Sequence, residues 1–75
     1  MVTAMDLRTA ATIELAASDA NREATTVGER SALTQLEASA ARALNAGDPS
    51  QVREARSLAR MERTYRLHEL RLANR

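Results

Sequence analysis

The sequence predicts an all-α protein, an antiparallel helical hairpin of coiled-coil character with an additional N-terminal helix. Three observations lead there. Apolar residues recur at intervals of three and four along most of the chain. The punctuation is confined to two places, "TTVGE" and "NAGDPS". The 75 residues include only two Gly and one Pro, with no Cys, Phe or Trp, so nothing marks strands or a disulfide scaffold. A chain of this length forms a single domain, here residues 1–75. Such a chain buries only about 60% of the surface that its unfolded form exposes. Tyr65 is the sole aromatic residue, so the core must come from Leu, Val, Ile, Met and many Ala. That favours thin helices in close approach, with oligomerisation or a protein partner as the remaining source of stability.

The N-terminal helix is expected at about residues 4–24, where "MDLRTAATIELAASDANREA" contains no Pro or Gly. Thr3 suits its N-cap and Asp6 its first turn, near the positive end of the helix dipole. Its apolar marks, Met5, Ala10, Ile13 and Ala17, are sparse and small, which predicts a weakly anchored helix.

The first hairpin helix is expected at about 27–46. Thr26 and Glu29 have capping-box spacing. The β-branched run Thr25–Thr26–Val27 and Gly28 mark a break or kink without saying whether Gly28 itself divides the helix. Leu33, Leu36, Ala40, Ala43 and Leu44 then make one narrow stripe of coiled-coil type. At the turn, Gly47 suits a left-handed position after a helix end, Asp48 an N-cap and Pro49 the first helical position. So short a connection predicts that the helices on either side fold back on each other.

The last helix, about 49–73, carries two apolar sectors. Leu58, Met61, Tyr65, His68 and Leu72 repeat at 3-4-3-4 spacing. At about 100° per residue, Val52, Ala55, Ala59 and Leu70 fall on a neighbouring sector, and Leu67 lies farther round among Arg side chains. One sector closes a hairpin; two imply contact on a second side, and which one faces inward is open. The expected hairpin core is Leu33, Leu36, Ala40, Leu44, Val52 and Ala55. The expected partner-binding residues are Leu58, Met61, Tyr65 and Leu72.

Most other functions find little support. His68 is the only conventional imidazole base and lies on the apolar stripe, with Glu69 adjacent in sequence but not facing it on a helix. No nucleophile–base–orienter set can be assembled, so no catalytic residue is expected. A single His without Cys leaves no zinc set, and two distant Gly make no phosphate loop, so neither metal nor cofactor is expected. Glu14, Asp19, Glu23 and Glu29 read as a solvated face. The net charge of +1 hides an asymmetry: residues 1–46 hold six acids and four Arg, or −2, while residues 47–75 hold four acids and seven Arg, or +3. Arg53, Arg56, Arg60, Arg63, Arg66 and Arg71 crowd one broad side of the last helix, the arrangement that phosphates attract. Interleaved Glu54, Glu62 and Glu69, with Glu62–Arg66 spaced for an i,i+4 pair, make a solvated Arg/Glu face the plainer reading. Membrane binding lacks large apolar anchors, and no stretch approaches the roughly 20 apolar residues of a membrane span. The lack of Cys and of a signal-like leader points to the cytoplasm.

The stretch "LNAGDPSQVREARSLARMERT" resembles the corresponding region of the small YscE-type proteins of bacterial type III secretion systems. The shared features are Gly47 and Pro49 at the turn, then Val52, Ala55 and Leu58 opening the next helix. Upstream, "ELAASDANREATTVGERSALTQLEASAARAL" resembles that family's polar segment leading into an Ala/Leu helix. The resemblance implies a cytoplasmic co-chaperone, a helical hairpin that joins a larger helical-repeat chaperone and keeps the needle subunit from polymerising early. This chain is more Arg-rich and longer at its N-terminus. Needle subunits are themselves helical hairpins with a Pro-containing turn. The expected function is therefore a non-enzymatic helical adaptor or small chaperone with a protein partner, either a helical-repeat chaperone or a needle-type subunit, or else a homo-oligomer. The alternatives are an Arg-rich nucleic-acid-binding or regulatory protein and a self-assembling structural subunit.

Overall fold

The computed structural model describes residues 6–74 as three α-helices, with no strand among them. They are α1 (Leu7–Glu23), α2 (Val27–Asn45) and α3 (Pro49–Ala73). The fold is all-α, a helical hairpin with a further helix. The expected Thr3 cap and Met5 lie outside the described residues. Asp6 instead caps α1, its carboxylate accepting from the Thr9 N–H at 2.8 Å.

The break between α1 and α2 falls at Ala24–Thr26, and Gly28 lies inside α2. Thr26 is the N-cap, its hydroxyl accepting from the Glu29 N–H at 3.1 Å. Glu29 reaches back to accept from the Thr25 N–H at 3.4 Å, one residue beyond the usual reciprocal partner. A local exchange of side-chain oxygens for orphan donors thus ends one helix and starts the next.

The second turn is capped as the sequence implies at Asp48 and Pro49. One Asp48 carboxylate oxygen accepts from the N–H groups of Ser50 and Gln51, each at 3.2 Å, and from the Ser50 hydroxyl. Gly47 differs from expectation: among the described residues no glycine has positive φ. Its role is space. A Cβ there would stand 2.6 Å from a Leu7 methyl and 3.2 Å from a Val52 methyl. Glycine at this corner lets the start of α1 close over the turn.

α1 is the hub, against the expectation of a weakly anchored helix. It packs on both α2 and α3, which barely meet each other. α1 and α2 are antiparallel: Leu44 near the end of α2 clusters with Ala10 and Ala11, while Asn21 near the end of α1 donates to Thr34 at 3.2 Å. α3 runs in the same sense as α1, since Arg56 pairs with Glu14 and Arg63 with Asp19. The closest hairpin is therefore α1–α2, not the α2–α3 pair that the short turn suggested. The physical reason is size. Ala10, Ala11 and Ala17 are buried on α1, and side chains this small admit a neighbouring helix on two sides at once.

The core is correspondingly thin. Among the described residues, seven of the nine buried apolar ones are Ala, leaving only Leu44 and Val52 as larger members. Leu7, Leu15 and Ala43 pack against it half-buried. Leu7 and Leu15 were not among the expected core residues, because each is an isolated Leu with few apolar neighbours at helical spacing.

Candidate protein-interaction face

The buried sector of α3 is Val52, Ala55 and Ala59. These face α1, which decides the question of which apolar sector points inward. The other sector points away, roughly 140° round the helix. On it Met61 is 63% and Tyr65 66% exposed; Leu72 is also exposed and Leu58 half-buried. His68 is exposed beside them, lining a shallow depression with Ser57, Arg60, Met61, Thr64 and Tyr65.

Length explains why the end of α3 stays open on its other sectors as well. α3 has 25 residues and α1 has 17, or about 37 Å against about 26 Å at 1.5 Å per residue. Leu7 sits beside the Gly47–Val52 corner, so α1 runs out near the level of Leu67, which lines a cleft with Leu15 and Asp19. Beyond that level no described helix accompanies α3, and every residue from Thr64 to Asn74 is exposed. The long arm accounts for a radius of gyration of 13.9 Å, against about 11 Å for a compact chain of this length. Leu67 and Leu70, on other sectors of the arm, are exposed too. Among the described residues, five of the seven exposed large apolar side chains therefore lie between Met61 and Leu72.

The lower half of α3 is held differently. Three ion pairs cross from α1 to α3: Arg8–Glu62 at 3.0 Å, Glu14–Arg56 at 3.3 Å and Asp19–Arg63 at 3.0 Å. Arg56 meets Glu14 with two nitrogens on two oxygens. Two expectations change here. Glu14 and Asp19 are not a solvated face, and Glu62 bonds Arg8 on α1 rather than Arg66 one turn along. The sequence signal for these pairs was the opposite charge of the two halves. Which charges meet depends on a helix pairing that spacing alone did not reveal. Arg56 and Arg63 are thereby engaged within the fold, and the Arg-rich side of α3 becomes a broken surface rather than a continuous phosphate track.

The expected hairpin-core residues divide. Ala40, Leu44, Val52 and Ala55 are buried. Leu33 is half-buried and Leu36 is 46% exposed, outside the core. Toward its start, α2 turns Arg30, Thr34 and Glu37 to α1, where they line a polar cleft with Ser18, Asn21 and Arg22. The contact sector drifts round α2, and Leu36 is left on the far side. Gly47, Asp48 and Pro49 form the turn as described.

Two capping carboxylates have displaced titration. The Thr9 N–H and then its hydroxyl hold Asp6 below the ordinary 3.8. The Ser50 hydroxyl and then the Gln51 N–H do the same for Asp48. Both effects are hydrogen bonding to the charged form. Among the described residues no three His, Cys, Asp or Glu side chains converge as a metal site. No described helix is long and apolar enough to cross a membrane. No family model, curated protein or solved structure matches the chain.

Proposed function

We propose that the protein is a non-enzymatic, cytoplasmic helical adaptor that presents the outward face of α3 to a protein partner. The observation that carries this reading is the concentration of exposed large apolar residues on the arm between Met61 and Leu72. Single exposed apolar residues are ordinary on a protein surface, but Met61, Tyr65 and Leu72 fall within about 40° of one another and form a stripe along one face of the arm. An amphipathic helix recognised in a groove offers anchors at this spacing. Leu58, Met61, Tyr65 and Leu72 are the anchors, with Tyr65 supplying the aromatic contact that interfaces favour.

The narrower form of the proposal is a co-chaperone of a type III secretion needle subunit, and its support is the resemblance at residues 44–64. Co-expression with a needle subunit and its helical-repeat chaperone tests it. A complex that co-purifies with the native chain and is lost with Tyr65→Glu supports this form. Failure to co-purify with either protein removes it.

A further inference from the structure

The outward face of α3 also bears on what its partner is. Leu58, Tyr65 and Leu72 occupy one position of a seven-residue repeat, and Met61 and His68 the other apolar position. A stripe this narrow accommodates a single helix. Its two borders differ in charge. Glu62 and Glu69 flank it on one side, while Thr64 and Arg71 flank it on the other. Two copies related by a twofold axis along the helix bring the acidic border of each against the Thr64/Arg71 border of its mate. An antiparallel pair centred near Tyr65 instead sets Glu69 against the second copy's Glu62, so that an unfavourable charge meets a carboxylate held by Arg8 and no complementary border is gained.

The body of the molecule leaves room for such a pair. The stripe lies about 140° round α3 from the Val52–Ala55–Ala59 sector that holds α1, so α1 stays on the outer side of each copy. The need for more burial is plain in a fold where Leu44 is the only fully buried large side chain among the described residues. Met61, Tyr65, His68 and Leu72 offer roughly 400–500 Å² per copy, about half of the 800 Å² or so that a standard interface buries on each side, which suits a reversible pair.

We propose that α3 pairs in parallel with α3 of a second copy through Leu58, Met61, Tyr65, His68 and Leu72. The inference rests on reading this face as a protein-binding surface and names its occupant. His68 is the weak layer, because an imidazole replaces an apolar residue in the seam.

Sedimentation equilibrium of the full chain, combined with variants, tests the pairing. The expected result is a reversible dimer whose dissociation constant rises about 100-fold or more with Tyr65→Glu, a central anchor lost from both copies. Because Tyr65 is exposed, helix content and melting of the monomer should be unchanged by that variant. His68→Leu should tighten the dimer. Since the chain has no Cys, His68→Cys supplies a single thiol. Its Cα lies within disulfide reach of its equivalent in the parallel register and not in the antiparallel one that sets Glu62 against Glu69, so mild oxidation should give a covalent dimer. A chain that stays monomeric at several hundred micromolar would overturn the proposal. So would a dimer indifferent to Tyr65→Glu, a trimer, or a dimer in which the residue-68 thiols fail to join. If the chain is monomeric yet Tyr65→Glu still abolishes capture of a different protein, the adaptor reading stands and the second copy alone is excluded.

Discussion

The two halves of α3 share one helix, yet they live under different rules. From Pro49 to about Arg63 the helix lies on α1, with Val52, Ala55 and Ala59 buried and Arg56 and Arg63 paired to acids. From Thr64 to Asn74 every residue is exposed, and only Thr64 to Leu67 still border the end of α1. The lower half uses small residues where a helix must come close and places its charges in cross-helix pairs. The upper half has Leu and Tyr where bulk could fill a core, but no core is there. Large apolar residues are held out of the fold here and alanines kept within it.

The sharpest way to break this contrast is to remove bulk from each half in turn. Leu44→Ala should cost about 3 kcal/mol, because it empties the fully buried large site that, among the described residues, the core shared with α3 has only once, and urea unfolding will measure it. Leu70→Ala on the arm should change the monomer by no more than about 0.5 kcal/mol. If the two cost the same, the arm is packed and the contrast fails. The ion pairs come next in size. Their side chains are 23–62% exposed, so each contributes at most about 1 kcal/mol after solvent screening. A double-mutant cycle with Glu14→Gln and Arg56→Gln should show weak favourable coupling that fades in 1 M salt, on the order of the Debye screening expected there. Amide exchange should then rise at the base of α3 while Ala40 to Leu44 keep their protection.

Acid should act on the caps. Asp6 and Asp48 bind protons less readily when folded than when unfolded, so each stabilises the fold fully above its unfolded value of about 3.8. That contribution is lost as pH falls through the lowered folded values. Melting temperature should drop on going from about pH 5 to about pH 2.5, and Asp48→Asn should flatten the dependence. The smallest change expected is a gain. Gly28 sits in the first turn of α2, and a Cβ added there would meet open space. Gly28→Ala should therefore stabilise by about 0.5 kcal/mol. That variant touches neither half of α3 and serves as the control for both.

Legibility along the chain followed the range of the interaction. Asp48 and Pro49 declared the start of α3, and Thr26 with Glu29 the start of α2, because a cap bonds N–H groups two or three residues away. The 3-4-3-4 stripe of α3 was equally readable, since neighbours on a helix face are set by about 3.6 residues per turn. Gly47 shows the limit. Its position at a helix end suggested a left-handed residue, but its actual constraint comes from Leu7, far earlier in the chain. Leu36 shows another: its spacing is right for a seam, yet α2 crosses α1 so that Thr34 and Glu37 take the contact instead.

By itself the sequence determined three helices, the caps of α2 and α3, the two turns and the double apolar character of α3. Only the tertiary structure decided that α1 packs on both of the others, that the Val52 sector faces inward and that Arg56 and Arg63 are tied to Glu14 and Asp19. The reason lies in alanine. A run of small residues permits close approach on any side of a helix and specifies none. Which neighbour fills that space depends on where the few Leu side chains and opposite charges come together in three dimensions. The outward stripe of α3 is what remains once those choices are made.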